Sequence, residues 1–485
     1  MSQNTRSRAR RQGIHLYWAV VSLSVFALGC EEGVLYPGGG NIRDFFILPR
    51  SVSVEVTSLI QLQANARNAD GVSLAVDNVL WSSSDTSVAS VDSVGLLTAY
   101  EEGETVITAA RPSGPGNVPD FTHAAVAVIP PAPAPWSEHV CAWVANGSAY
   151  CWGRGISGEL GSGDRDGSLV PRLVPFPGGL TAVSTGVGHS CGLKDSGDVW
   201  CWGRGSEGQL GNRTILSSLT PAFVAGGFHF LRVAAGGRHT CGLTVESRMR
   251  CWGWNAFGQL GNGTTVGLRE PVLVESSQRF KDLSAGARHT CAVAEDGLVW
   301  CWGANDRGQL GNGSTTDSGL PVRIATGTRF LSVSSGADHT CALDEQGLAH
   351  CWGANTSAQL GIGSLTDLST PRSISFQYSY ESISGGLYHT CGIRVGGQLY
   401  CWGEGAAGQL GNGANDLHGN PQLIGEKRYQ SVLAGESFSC AVERVALQAY
   451  CWGTGSFGQL GQGLVRSVGV PSIVDGGFQF SEIGR

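Results

Sequence analysis

The tripeptide Cys-Trp-Gly occurs seven times, at Cys151, Cys201, Cys251, Cys301, Cys351, Cys401 and Cys451, always 50 residues apart. A long strict period makes each copy one supersecondary unit that must bury its faces against its neighbours. Behind each copy lies Gly-Gln-Leu-Gly or a near relative: Gly208–Gly211, Gly258–Gly261, Gly308–Gly311, Gly408–Gly411 and Gly458–Gly461. Glu159 replaces Gln in the first copy and Ala358 replaces Gly in the fifth. Ahead of most copies stands His-Thr-Cys or His-Ser-Cys, followed by a short apolar run. The 73 glycines recur at fixed places in this period rather than in a Gly-X-Y pattern, which points to many tight turns and an all-β fold.

The third copy reads as four strands: Phe230 to Ala234, His239 to Thr244, Arg248 to Trp252, and a short run around Val272 to Val274. Four short strands with glycine turns make one propeller blade, and seven blades close a ring. The pattern closely resembles the regulator-of-chromosome-condensation repeat over about 350 residues. The expected fold class is all-β: a seven-bladed β-propeller at 137–485, preceded by a small immunoglobulin-like β-sandwich. A solenoid, the rival architecture, would need distinct capping repeats. The chain instead ends Phe478-Gln479-Phe480-Ser481-Glu482-Ile483, matching Phe228-His229-Phe230-Leu231-Arg232-Val233, while the first copy lacks this opening strand. The tail is therefore expected to complete the first blade and leave no open sheet edge.

Fourteen of the 15 cysteines fall into pairs: Cys141/Cys151, Cys191/Cys201, Cys241/Cys251, Cys291/Cys301, Cys341/Cys351, Cys391/Cys401 and Cys440/Cys451. Folding Cys191 against Cys201 as a hairpin leaves Asp195-Ser196-Gly197 as the loop. Three-residue hairpin loops want Gly in the last, left-handed position. Gly147, Gly297, Gly347 and Gly397 share that place, and Ser247 does not. Directly opposed residues point to one face at disulfide range, so one disulfide per blade is expected, each worth roughly 3 kcal/mol in the chain-entropy model. Two other readings exist. Zinc pairs have closer ligand spacing. Free buried cysteines would suit a cytosolic protein, and the N-terminus argues otherwise.

Arg6, Arg8, Arg10 and Arg11 precede an apolar run from Leu16 to Leu28, the layout of an export signal. The run ends Phe26-Ala27-Leu28-Gly29-Cys30, which resembles a bacterial lipoprotein cleavage box. That resemblance implies a signal peptide at 1–29 and lipidation of Cys30, with Ala27 standing where the usual Leu would be. Residues 30–44 read as a Gly-containing tether. The resemblance also implies an exported, lipid-anchored protein at the outer membrane or cell surface. Residues 45–129 alternate as short strands, including Val52/Val54/Val56 and Ile60/Leu62/Ala64. Their order, through Val79-Leu80-Trp81 and Gly103-Glu104-Thr105-Val106, resembles the bacterial immunoglobulin-like group 2 domain, with Trp81 expected as the buried anchor between its sheets. Pro130, Pro131, Pro133 and Pro135 make a stiff linker at 130–136.

His139, His189, His239, His289, His339 and His389 recur at one position, with Phe438 in the seventh copy. If their strand lines the channel, they stand too far apart for one metal ion, and the family resemblance makes them structural. The Trp of each Cys-Trp-Gly is expected to pack between blades. Asp164-Arg165-Asp166-Gly167 opens like a calcium loop but lacks the later ligands. No catalytic motif, metal site or cofactor motif is found. A net charge of −7 and a pI near 5.9 argue against a nucleic-acid partner. Segments between the fixed turn and the fixed Pro differ from blade to blade, such as Asn212 to Thr220 and Asn262 to Glu270, and binding loops sit in such places. These features point to a monomeric, envelope-anchored binding protein with a protein or glycan ligand, touching the membrane only through its lipid. The alternatives are a secreted enzyme inhibitor, or a hydrolase or lyase at the channel mouth. The variable loops hold few aromatics, which weighs against the inhibitor.

Overall fold

The computed structural model describes residues 44–48, 51–55, 59–67, 73–74, 76, 78–100, 103–111, 120–129, 138–176 and 178–484. The export segment, Cys30, most of the tether and the linker at 130–136 lie outside the described residues. Every described element is a β-strand.

The N-terminal sandwich contains a four-stranded sheet of Ser51–Glu55, Asp120–Ile129, Gly103–Arg111 and Leu80–Ser83, in that order. Two three-stranded sheets accompany it. Its core is aliphatic and small: Ile47, Leu62, Ala89, Leu97, Ile107, Ala109, Ala124 and Val126. Trp81 packs against this core between the sheets, as expected from the sequence, but is only partly buried. It lies on the edge strand Leu80–Ser83, half-buried, with its ring against Gly95. An edge strand has a neighbour on one side only, so a bulky ring there keeps one side partly open to solvent.

From 138 onward the chain builds seven blades around a channel. The second blade shows the plan: Leu180–Thr185 innermost, then His189–Lys194, Val199–Gly203 and outermost Ser218–Phe223. In the third blade the last two strands are Met249–Gly253 and Leu268–Leu273. The fourth strand thus begins earlier than expected and takes in Leu268 to Glu270 of the segment read as a variable loop. The cause is a bulge. Cys251 pairs with Val272 and Gly253 with Leu268, so one residue faces three and the recurring Pro271 sits in the unpaired stretch. Proline is tolerated at such a bulge on an edge strand. Blades six and seven share one 17-residue strand, His418–Ala434, which runs from the outside of one to the inside of the other.

The ring closes through the tail. Phe480–Ile483 is the innermost strand of the first blade and pairs antiparallel with His139–Val144, Ala142 opposite Ile483. Phe480 and Ile483 are fully buried among Val140, Trp152 and Phe438. Burial of side chains this size contributes about 1.5–3 kcal/mol each.

Each blade carries one disulfide between the opposed cysteines of its central hairpin: Cys141–Cys151, Cys191–Cys201, Cys241–Cys251, Cys291–Cys301, Cys341–Cys351, Cys391–Cys401 and Cys440–Cys451. The Cα atoms are 4.1 Å apart in every pair. In the second blade Lys194 and Asp198 close the loop, and Gly197 takes φ +84°. Ser247 occupies the same left-handed position at φ 59°, and Leu447 does so at 58° in the longer seventh hairpin. The turn geometry is imposed even where the residue is not glycine.

Candidate binding site on one propeller face

The recurring histidines do not line the channel. The innermost strands do, and the histidines begin the second strand of each blade, where all six are buried. Each Nε2 reaches a hydroxyl of the following blade: His139 to Ser190 (2.6 Å), His189 to Thr240 (3.0 Å), His239 to Thr290 (2.9 Å), His289 to Thr340 (2.9 Å), His339 to Thr390 (2.9 Å) and His389 to Ser439 (2.8 Å). These contacts join blades, not strands within one blade.

The hydroxyl then fixes the tautomer. Thr290 donates its only proton to the carbonyl oxygen of Gln259 (3.0 Å), so His239 must donate from Nε2. The same relay runs through Thr240 to Gln209 and through Ser190 to Glu159. Among the described residues Nδ1 of His239, His289, His339 and His389 is buried without a hydrogen-bond partner in the protein. Burial pushes all six imidazoles down to about 3, so they stay neutral. They are structural ties with no access to substrate.

The blade junctions carry two further links. Trp252 Nε1 donates to Gln209 O of the preceding blade (2.9 Å), and its indole closes on Gly211, where a Cβ would stand 2.7 Å from Nε1. That approach explains the final glycine of the Gly-Gln-Leu-Gly turn. The glutamine side chain serves the turn itself: Gln209 Oε1 accepts the N–H of Glu207 (2.9 Å). Glu159 does the same for Ser157 (2.6 Å), and burial pushes its carboxyl up to about 7. The junction of the seventh and first blades lacks the histidine relay. Phe438 and Val140 take the two positions and pack together as apolar neighbours.

Asp164, in the stretch resembling a calcium loop, is occupied by Arg172, whose Nη1 and Nη2 lie 2.9 and 2.5 Å from its two oxygens. Among the described residues no group of three or more His, Cys, Asp or Glu side chains is arranged to hold a metal ion.

One surface feature is complete in the third blade and half repeated in the seventh, where Phe457 takes the place of Phe257 with Arg154 over its ring at 5.6 Å. The turns before each histidine and the loops after each Cys-Trp-Gly share a face of the ring. There, Trp254 and Phe257 stand where the second blade has Arg204 and Glu207 and the fourth has Ala304 and Arg307. Their rings meet edge to face at 5.3 Å. Arg238 lies over Trp254 at 5.5 Å, and Arg288 of the next blade over Phe257 at 5.1 Å. Charged groups continue the arc on both sides. Glu207 pairs with Arg238 (3.6 Å), while Arg288 pairs with Asp306 and Asp338 (2.9 Å each). Sequence reasoning counted few aromatics in the variable loops and missed this cluster. Its signal is a large residue breaking the repeat immediately after Cys-Trp-Gly. Trp and Arg held in such a partly desolvated cluster are the residue types that dominate binding energy at protein interfaces.

A family model described as the RCC1-like domain matches residues 148–483, and one described as the bacterial Ig-like domain (group 2) matches residues 44–119. Human WBSCR16 is similar in structure, with a TM-score of 0.62 at 20% identity over 68% of this chain and 94% of that one. Yeast RCC1 (Prp20), in its complex with Kap60, gives 0.61 at 22% identity over 69% of this chain and 85% of that one. Prp20p from Saccharomyces cerevisiae, described with its binding properties to Gsp1p and histones, gives 0.62 at 23% identity over 69% and 88%. No curated protein matches the chain.

Proposed function

We propose that this chain, which belongs to the RCC1-like domain family, is an envelope-anchored binding protein whose propeller presents the Arg238–Trp254–Phe257–Arg288 arc to a protein ligand. The arc carries the reading. A half-buried tryptophan and phenylalanine at positions where neighbouring blades hold small or charged residues leave apolar surface in water without serving the blade core. A partner surface that covers them removes that apolar surface from water. The solved relatives that bind Kap60, Gsp1p or histones support a protein as the ligand class, although identities of 22% and 23% carry only the fold and not those partners. Anchoring through Cys30 would hold the propeller at a surface, with the immunoglobulin-like domain as a spacer.

Capture from the organism's own envelope fraction tests this, comparing the exported chain with Trp254→Ala/Arg288→Ala. A ligand retained by the parent and lost by the variant is expected, with thermal unfolding unchanged. Equal retention by both would assign binding to another surface. Mass spectrometry of the membrane-extracted protein tests the anchor: an unacylated N-terminus at or beyond Cys30 would rule it out.

A further inference from the structure

The fifth blade departs from the repeat at three places that meet. His350, in the third strand Ala349–Gly353, stands opposite Ser373 at the end of the outermost strand Leu368–Ser373. Other blades hold apolar pairs there, such as Trp200 with Phe223 and Tyr400 with Leu423, and none pairs His with Ser. Asp344, the last residue of the second strand, completes a chain of hydrogen bonds. Its Oδ2 lies 2.9 Å from His350 Nε2, and His350 Nδ1 lies 3.3 Å from Ser373 Oγ. Asp344 Oδ1 accepts the N–H groups of Gln346 and Leu348 at 2.9 Å each. A carboxylate only accepts, so Nε2 carries the imidazole proton and Nδ1 turns its lone pair to the serine hydroxyl. The Asp344 and His350 side chains are 6% and 16% exposed, while Ser373 is half-buried. Phe330, fully buried, stands perpendicular to the imidazole at 5.5 Å and closes its inner side, which leaves approach from solvent. A donor stands nearby. The N–H of Ile374 bonds inward to Ala349 O (3.1 Å). Successive N–H groups of a strand point to opposite edges, so that of Ser373 faces the open edge of the sheet.

A nucleophile, a base in the required tautomer, a carboxylate that fixes it and a backbone donor are the parts of an acyl-transfer site. We propose that Ser373, His350 and Asp344 hydrolyse esters of short acyl groups. Ser373 Oγ bonds to the ester carbonyl carbon while its proton passes to His350 Nδ1, and the carbonyl π pair moves onto oxygen, toward the N–H of Ser373. The pair returns, the bond to the alcohol oxygen breaks, and that oxygen takes the proton from Nδ1. Water repeats the sequence on the acyl-serine, which releases the acid and regenerates the hydroxyl. Asp344 is a positioning residue: it holds the ring, and its carboxylate faces the imidazolium formed in passing. An open margin holds an acyl group by few contacts, which suits a short chain on an alcohol of any size. The site lies at the beginning of a third strand, whereas the Trp254 arc follows the end of one, so the two stand or fall independently.

The full exported chain should hydrolyse p-nitrophenyl acetate with a burst, and a fluorophosphonate probe should attach to Ser373, located by peptide mass spectrometry. Ser373→Ala should lose the burst and the label. His350→Tyr, which copies blades one, six and seven, should keep the parent's melting temperature and slow both reactions about a hundredfold or more. Asp344→Asn is the sharper test. Its oxygen must stay with the N–H groups of Gln346 and Leu348, so its amide donates to Nε2 and forces the proton onto Nδ1. Turnover should then fall about a hundredfold or more with KM unchanged. Hydrolysis equal in the parent and Ser373→Ala, labelling of Ser373 unaffected by His350→Tyr, or full turnover in Asp344→Asn overturns the proposal.

Discussion

Lowering the pH from 7.5 to 4.5 should unfold this propeller through its histidine ties. Each of the six buried imidazoles is neutral in the fold, with its pKa pushed down to about 3, against an ordinary value of 6.5 in the unfolded chain. Below pH 6.5 the unfolded chain therefore binds protons that the fold refuses, and stability falls as pH falls until about 3. Glu159 acts oppositely. Its folded value of about 7 lies above the ordinary 4.5, so between those limits the fold holds the extra proton and acid favours it. Glu436, also pushed up to about 7 by burial, opposes in the same sense but is partly exposed and counts for less. About four to five protons remain in favour of unfolding. At about 1.4 kcal/mol per proton per pH unit, this costs about 6 kcal/mol per unit between pH 6.5 and 4.5. Two units exhaust the about 5–15 kcal/mol that ordinarily holds a domain. Urea midpoints read by tryptophan fluorescence with disulfides intact should drop steeply over this window, and proton uptake on unfolding near pH 5.5 should be about four to five. His239→Gln, which keeps a donor toward Thr290, should lower the uptake by about one. A midpoint that holds steady from pH 7 to 4.5 would refute the reasoning, because the imidazoles would then be titrating normally inside the fold.

Thr290→Val leaves His239 Nε2–H without its acceptor and should cost about 1–3 kcal/mol in urea unfolding; adding His239→Phe, which copies the Phe438/Val140 pair of the last junction, should restore more than half, and no recovery would show that the junctions are not interchangeable. Removing residues 478–485 strips the first blade of its inner strand and should lower the melting temperature by about 4–8 °C, from the loss of Phe480 and Ile483 burial alone. A truncated chain that melts with the parent would mean the ring does not depend on its closing strand.

The architecture was legible because period and geometry coincide. A 50-residue repeat, a Cys-to-Cys spacing that sets a three-residue hairpin, and a tail that copies the missing opening strand leave little freedom. The histidines read as structural, but the sequence left open whether their strand lines the channel, since position within a blade depends on which strand faces inward and a single copy does not show that. Trp81 is a related case: a large aromatic announces packing on the core, while its place on an edge strand decides how much of it is covered. The Trp254–Phe257 arc escaped because Arg238 and Arg288 come from turns of two adjacent blades, and only the packing of those blades lays them over the two rings.

All seven outermost strands carry proline at the same place: Pro171, Pro221, Pro271, Pro321, Pro371, Pro421 and Pro471. These margins also expose Leu173, Phe223, Leu273 and Ile473 to solvent. A bare hydrophobic margin would invite a second copy to add a ladder and grow into an aggregate. A residue without an N–H, set in a kinked stretch, denies that ladder a continuous template. Molecules crowded side by side should therefore slide past one another as separate discs, leaving their flat faces clear for whatever they meet.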